Sequence, residues 1–244
     1  MITIKHRRRP GWILPAVILV PIVGGYVFYR WWNHGGGQRA SLVFAWFRDG
    51  SLFPEKMMRA GQRCGEAPFL FPTDGLVGFL WDDAFRLGHR HQGIDIFAGG
   101  PVGQTPVVAA YAGYLTRLPE WRSAVIIRIP EDPLQPGRQI WTYYTHMADA
   151  GGASFISANF PAGTLEKYVT AGSLLGYQGN YSGNADNPTG VHLHFSIVRD
   201  DGRGRFANEL EIANTIDPSP YLGMQLNGRT NPDEIPVCPA AAVD

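Results

Sequence analysis

Five histidines carry the chemistry open to this chain: His89, His91, His146, His192 and His194. Each lies in or beside a short apolar segment, where an imidazole gains nothing from burial unless it has a partner. "HRHQGID" sets His91 four residues ahead of Asp95, and "VHLHF" places His192 and His194 on either side of Leu193. Gly93 followed by "IDIF" argues for extended chain, and strand residues an even number apart point to one face. His91 and Asp95 can therefore converge, as they also could at i and i+4 of a helix. By the same parity His192 and His194 share a face, while Leu193 and Phe195 take the other. Three nitrogen or carboxylate donors with a fourth position open is the pattern of a catalytic zinc site. His, Asp and His would supply that set and leave histidines over for proton transfer or oxyanion support. Singly, each motif is also explained by a buried histidine bonded to backbone.

The elements that must position these groups are short. The segments 93–98, 105–111, 113–118, 123–129, 139–147, 173–179 and 191–198 each read as a strand between Gly and Pro turns, with spacings that mostly fit antiparallel hairpins. His146 ends one of them. The abundance of glycine (30) and proline (19) favours a turn-rich, mainly β fold over a helical bundle. The segments 130–137 and 148–166 read as loops, the second long enough to wall a binding site. Upstream, 40–50 and 54–64 read as short helices with Gly50 and Gly61 as stops, after a flexible spacer at 33–38. The tail from about Asn227 reads as irregular. Cys64 and Cys238 flank the β region; they either form a disulfide tying its ends or remain two thiols, and their spacing is not that of a zinc site.

The formal net charge is zero but unevenly placed. Residues 1–39 hold six basic residues and no acidic one, which leaves the remainder with 15 basic residues against 21 acidic. No basic surface for nucleic acid follows from that balance. The basic segment 1–10 precedes "GWILPAVILVPIVGGYVFY" (11–29), which carries no charge. At about 1.5 Å per residue such a run just spans a hydrocarbon core of about 30 Å. Arg30, Trp31 and Trp32 close it as interfacial anchors, and the positive flank puts the N-terminus in the cytoplasm. A cleaved signal peptide is the competing interpretation; the run is long for one and no A-x-A site follows.

Taken together, and in order, these motifs resemble the lysostaphin/LytM-type zinc endopeptidases, the β-lytic metallopeptidases of bacterial peptidoglycan. The resemblance runs from about Phe71 to Leu222, through "HQGIDIFA", "QTPVVAAYAGYLTR", "YYTHM", "TAGSLLGYQGNYSGN…PTGVHLHFSIV" and "IDPSPYL". It implies an antiparallel β-sandwich or barrel-like LytM domain (a duplicated hybrid motif) over residues 67–226; outside it the sequence itself reads as a cytoplasmic segment 1–10, a transmembrane helix 11–29, a spacer with short helices 30–66 and a tail 227–244. It implies one zinc ion held by His91, Asp95 and His194, with His146 and His192 as the catalytic histidines. It implies peptidoglycan peptides as substrate, and with the anchor read from 11–29 this gives a single-pass location in a bacterial cytoplasmic membrane, the catalytic domain outside. His89 has no counterpart role and reads as a surface or supporting group. The turn "NYSGNADNPTG" is longer than the family's usual one, and Phe85 stands where some members use a tyrosine to support the transition state. The alternative is a non-catalytic module of the same fold that activates cell-wall amidases; the complete histidine and aspartate set favours the enzyme. No H-E-x-x-H is present, and "GNYSG" is not a G-x-S-x-G elbow.

Overall fold

A computed structural model describes residues 37–84 and 88–239. The fold is mainly antiparallel β, with few helices. A twelve-residue helix, α1 (Gly37–Arg48), comes first. Ten strands follow: β1 (Leu76–Phe79), β2 (Ile94–Phe97), β3 (Pro106–Val108), β4 (Gly113–Thr116), β5 (Val125–Ile129), β6 (Ile140–Thr145), β7 (Lys167–Val169), β8 (Leu174–Tyr177), β9 (Leu193–Arg199) and β10 (Thr215–Ile216). A short helix, α2 (Ser219–Leu222), closes the β region.

The large sheet runs β1-β2-β9-β6-β5-β4-β7, and β3 pairs with β8 in a smaller one. β9 is the axis. It pairs with β6 from His194 to Arg199 along one edge. β2 and β10 share its other edge, end to end. The period-2 pattern of β9 explains why it sits there. Leu193, Phe195 and Ile197 enter the main core with Ile94, Ile96, Ile127 and Tyr144. Val198, on the opposite face, joins Ile126 and Trp141 in a second cluster covered by Trp121 and Phe206. A strand apolar on both faces needs cover on both, and "VIIRI" of β5 has it. Val107 and Leu175 of the small sheet reach the same main core, so the two sheets share it.

All seven sequence-read strands are present, trimmed by two to four residues, with 105–111 reduced most, to Pro106–Val108. The short strands β1, β7 and β10 were not among them. The segment 54–64 corrects an expectation: only Pro54–Lys56 forms a helical turn, of 3-10 type. Met58 instead bridges Gly75 and Arg63 bridges Leu70, so this stretch pairs with the chain just downstream. Helix-forming composition is a weak preference that such pairing overrides. The tail is irregular but anchored: Asn227 bridges Trp81, and Cys238 forms a disulfide with Cys64. Among the described residues no helix is long and apolar enough to cross a membrane. The segments 1–10 and 11–29, most of the 33–38 spacer, and Phe85 lie outside the described residues.

Candidate metal centre

The register of three strands assembles the site. Asp95 of β2 pairs with His194 of β9, which pairs in turn with Thr145 of β6. His146 follows Thr145 directly, and His192 precedes β9 by one residue. His91 lies in extended chain just ahead of β2. Residues far apart in sequence thus meet because their strands are neighbours.

Asp95 Oδ1 lies 2.8 Å from His194 Nδ1 and 3.1 Å from His91 Nε2. The two ring nitrogens are 3.1 Å apart. Ligands at about 2.0–2.1 Å from a tetrahedral zinc ion stand roughly 3.3 Å from one another, so the triangle matches a zinc-sized cation. The donor chemistry fits as well. His91 donates its Nδ1–H to the Leu80 carbonyl at 2.9 Å, which turns Nε2 toward the cluster. His194 Nδ1–H donates to Asp95. His91 Nε2, Asp95 Oδ1 and His194 Nδ1 would each offer a lone pair once the His194 proton left, and a cation can replace that proton. His91, Asp95 and His194 are the group among the described residues whose ligand atoms converge in this way; His89 is not part of it.

His192 and His146 stand beside this triangle. His192 Nε2 is 3.7 Å from Asp95 Oδ1, and the two accessory rings are 4.4 Å apart. Each has its Nδ1–H fixed by the turn between β8 and β9. His192 donates to the Gly190 carbonyl at 2.7 Å, and His146 to the Tyr181 carbonyl at 2.6 Å. The long turn is closed at its neck by Thr189 N–H on the Asn180 carbonyl, so it grips both histidines from one rigid base. With Nδ1 as the donor, Nε2 is the acceptor nitrogen of each neutral ring. Phe97 stacks on His192 with ring centres 5.0 Å apart.

Two local backbone features are required. His146 has φ 73°, a left-handed conformation that costs a non-glycine residue roughly 1–2 kcal/mol and swings its ring out of the strand's alternation. Gly93 allows β2 to approach β9: a Cβ there would stand 2.2 Å from the Phe195 carbonyl oxygen and 2.9 Å from His194 Nε2.

Charge is tuned by burial and by proximity. Burial alone would raise Asp95, but the facing His91 and His192 and the hydrogen bonds from the histidines hold it well below the usual carboxylate range. Burial pushes His192 down to about 4 against the pull of Asp95, with His146 adding to the shift. Burial likewise lowers His194, opposed by its bond to Asp95. For His91 burial again lowers it, but Asp95, the Leu80 carbonyl and Asp83 together more than offset this and raise it. The site is thus one anionic carboxylate surrounded by imidazoles.

All five sequence-named residues meet here. Four groups were missed: the carbonyls of Leu80, Gly190 and Tyr181, which no side-chain pattern marks, and Phe97. The last was legible, since it lies two residues after Asp95 on the same face of β2.

No family model matches the chain, and no curated protein does. Solved structures do. The chain resembles the LytM-type peptidases. A Pseudomonas aeruginosa protein described as an M23 peptidase is 20% identical with a TM-score of 0.38, over 68% of this chain and 55% of its own. The catalytic domain of lysostaphin from Staphylococcus simulans is 20% identical with a TM-score of 0.38, over 64% of this chain and 92% of its own. A Ruminococcus gnavus protein described as a glycyl-glycine endopeptidase of LytM type is 27% identical with a TM-score of 0.35, over 53% of this chain and 45% of its own. The chain spans little more than half the length of the first of them. Likeness at this level concerns the path of the chain; the chemistry rests on the residues above.

Proposed function

We propose that this chain is a zinc-dependent endopeptidase that cuts peptide bonds in the cross-links or stem peptides of peptidoglycan. The observation that carries this is the convergence of His91 Nε2, Asp95 Oδ1 and His194 Nδ1 beside two imidazoles whose Nε2 atoms are the acceptor nitrogens. These three residues hold the ion. Zinc so bound acts as a Lewis acid on a carbonyl and makes water nucleophilic near neutral pH.

The rest of the chemistry belongs to the protein. His192, pushed down to about 4 by burial, is neutral at pH 7 and accepts a proton at Nε2. Its Nδ1–H stays on the Gly190 carbonyl, so the ring keeps its orientation through the transfer. The His146 ring stands 4.4 Å from that of His192, centre to centre, with its Nδ1–H on the Tyr181 carbonyl. The pair divides two tasks: taking the proton of the attacking water and passing it to the leaving amine, and hydrogen-bonding the oxygen on which charge develops. Asp95, held anionic, offsets part of the ion's charge and leaves it electrophilic.

In this proposal the run 11–29 tethers residues 67–226 to the outer side of a bacterial cytoplasmic membrane. The Cys64–Cys238 disulfide supports that side, because disulfides persist outside the cytoplasm. The test has two steps on the full chain in detergent: metal content by plasma emission, then digestion of purified peptidoglycan with mass spectrometry of the products. One zinc per chain and newly freed amines on cross-link or stem peptides are expected. Bound zinc with no cleavage would replace this function with the amidase-activating binding module.

A further inference from the structure

The helix α1 lies outside the strands that build the site, yet it touches the support of two site residues. Near its start, Arg39 is buried, 3% exposed, and its guanidinium pairs with Asp83 and donates to the Asn231 carbonyl. Asp83 governs the turn that holds His91. Its Oδ2 accepts the Leu80 N–H at 2.6 Å, and its carbonyl accepts the His91 N–H at 2.8 Å. The Leu80 carbonyl then fixes His91 Nδ1. Near the end of α1, the Phe47 ring meets Phe97 edge-on at 4.9 Å, and Phe97 stacks on His192. Val43 and Trp46 bury the same helix face against Leu76 and Phe97. Arg39 and Phe47 are about 12 Å apart along the helix, so one rigid rod reaches both flanks of the site.

We propose that α1 is a positioning element of the metal centre, with Arg39 fixing His91 through Asp83 and Phe47 fixing His192 through Phe97. This rests on the interpretation of the cluster as a zinc site. Supports of metal ligands set ring orientation, and their loss typically weakens binding by about 10–100-fold. The two ends of α1 therefore have separable effects. Arg39 acts on a ligand and hence on metal affinity. Phe47 acts on an accessory ring and hence on its orientation, with the metal retained.

The experiment uses the full chain in detergent, with zinc affinity read by competition against a chromophoric chelator. The orientation of His192 is read from its ring-proton resonances, which feel the ring current of the stacked Phe97. Arg39→Met is expected to weaken zinc binding about tenfold or more, with part recovered in Arg39→Lys. Should Arg39→Met fail to fold, Arg39→Lys alone carries this arm, since it keeps the charge but loses the two-pronged contact. Phe47 is half exposed, so Phe47→Ala leaves the core intact. It is expected to move the His192 resonances while zinc affinity stays within about twofold, and Phe47→Tyr to restore them. Wild-type zinc affinity in Arg39→Lys, or unmoved His192 resonances in Phe47→Ala, would overturn the corresponding half. A wild-type chain that binds no zinc would instead overturn the metal-centre interpretation and the inference with it.

Discussion

His192 and His194 are separated by one residue, and the proposed function gives them different tasks on the strength of their different partners. His194 Nδ1 is within 2.8 Å of Asp95, whereas His192 Nδ1 is spent on the Gly190 carbonyl. His194→Ala should lose both stoichiometric zinc and peptidoglycan cleavage; plasma emission on the dialysed variant decides it, and retained zinc would remove His194 from the ligand set. His192→Ala should keep its zinc and lose roughly 10²–10³-fold in turnover, as expected for a proton-transfer or oxyanion group. A variant that instead lost zinc would make His192 a ligand. Strand parity was enough to place His192 and His194 on one face, because a period of two is fixed by backbone geometry. It was not enough to orient His146. That ring depends on φ 73° just beyond β6 and on the Tyr181 carbonyl, and neither leaves a trace in residue type.

At the scale of elements, the contact of β2 with β9 is what makes the centre. Gly93→Ala would force the Phe195 carbonyl and the His194 ring away. The expected cost is about 3 kcal/mol, seen as a lower urea midpoint, together with weaker zinc binding. Unchanged values of both would show that the strands have room to part. The central strand β6 makes its own prediction. Tyr144 is fully buried there, and burial raises it from 10.0 to about 12, against the lowering effect of the hydrogen bond from the Ala110 N–H. The unfolded chain loses this proton first, so the stabilisation is complete below pH 10 and is lost as pH rises toward 12. Alkaline unfolding followed by tyrosinate absorbance and circular dichroism should show this phenol ionising together with the loss of structure; ionisation near 10 in an intact fold would contradict it. Most strands were legible because their apolar runs end at glycine and proline. Their order was not, since β2 and β9 are joined by about a hundred residues of chain and no local pattern encodes that partner. β7 and β10 are two or three residues long, too short for periodicity to register. The misread segment 54–64 has helix-favouring residues but is claimed by bridges to Gly75 and Leu70.

At the scale of the molecule, the even net charge conceals a basic leader and an acidic remainder, and the folded part is closed by one covalent link. Cys64 and Cys238 are 174 positions apart, and the sequence left their pairing open because nothing local brings those ends together. In the chain-entropy picture a loop of that length is worth roughly 5 kcal/mol. The link also determines how the molecule would answer tension. A pull between Gly37 and the chain's far end meets α1 and the stretch up to Cys64, then passes across the sulfurs to Cys238 without entering the sheet. Under oxidising conditions force spectroscopy should release only the segment ahead of Cys64, at about 3.4 Å per residue, and a reductant should be needed before the strands give way. A strained leader would thus peel α1, with Arg39 and Phe47, off a β domain that stays whole. The centre would be loosened by traction and reset when it slackens.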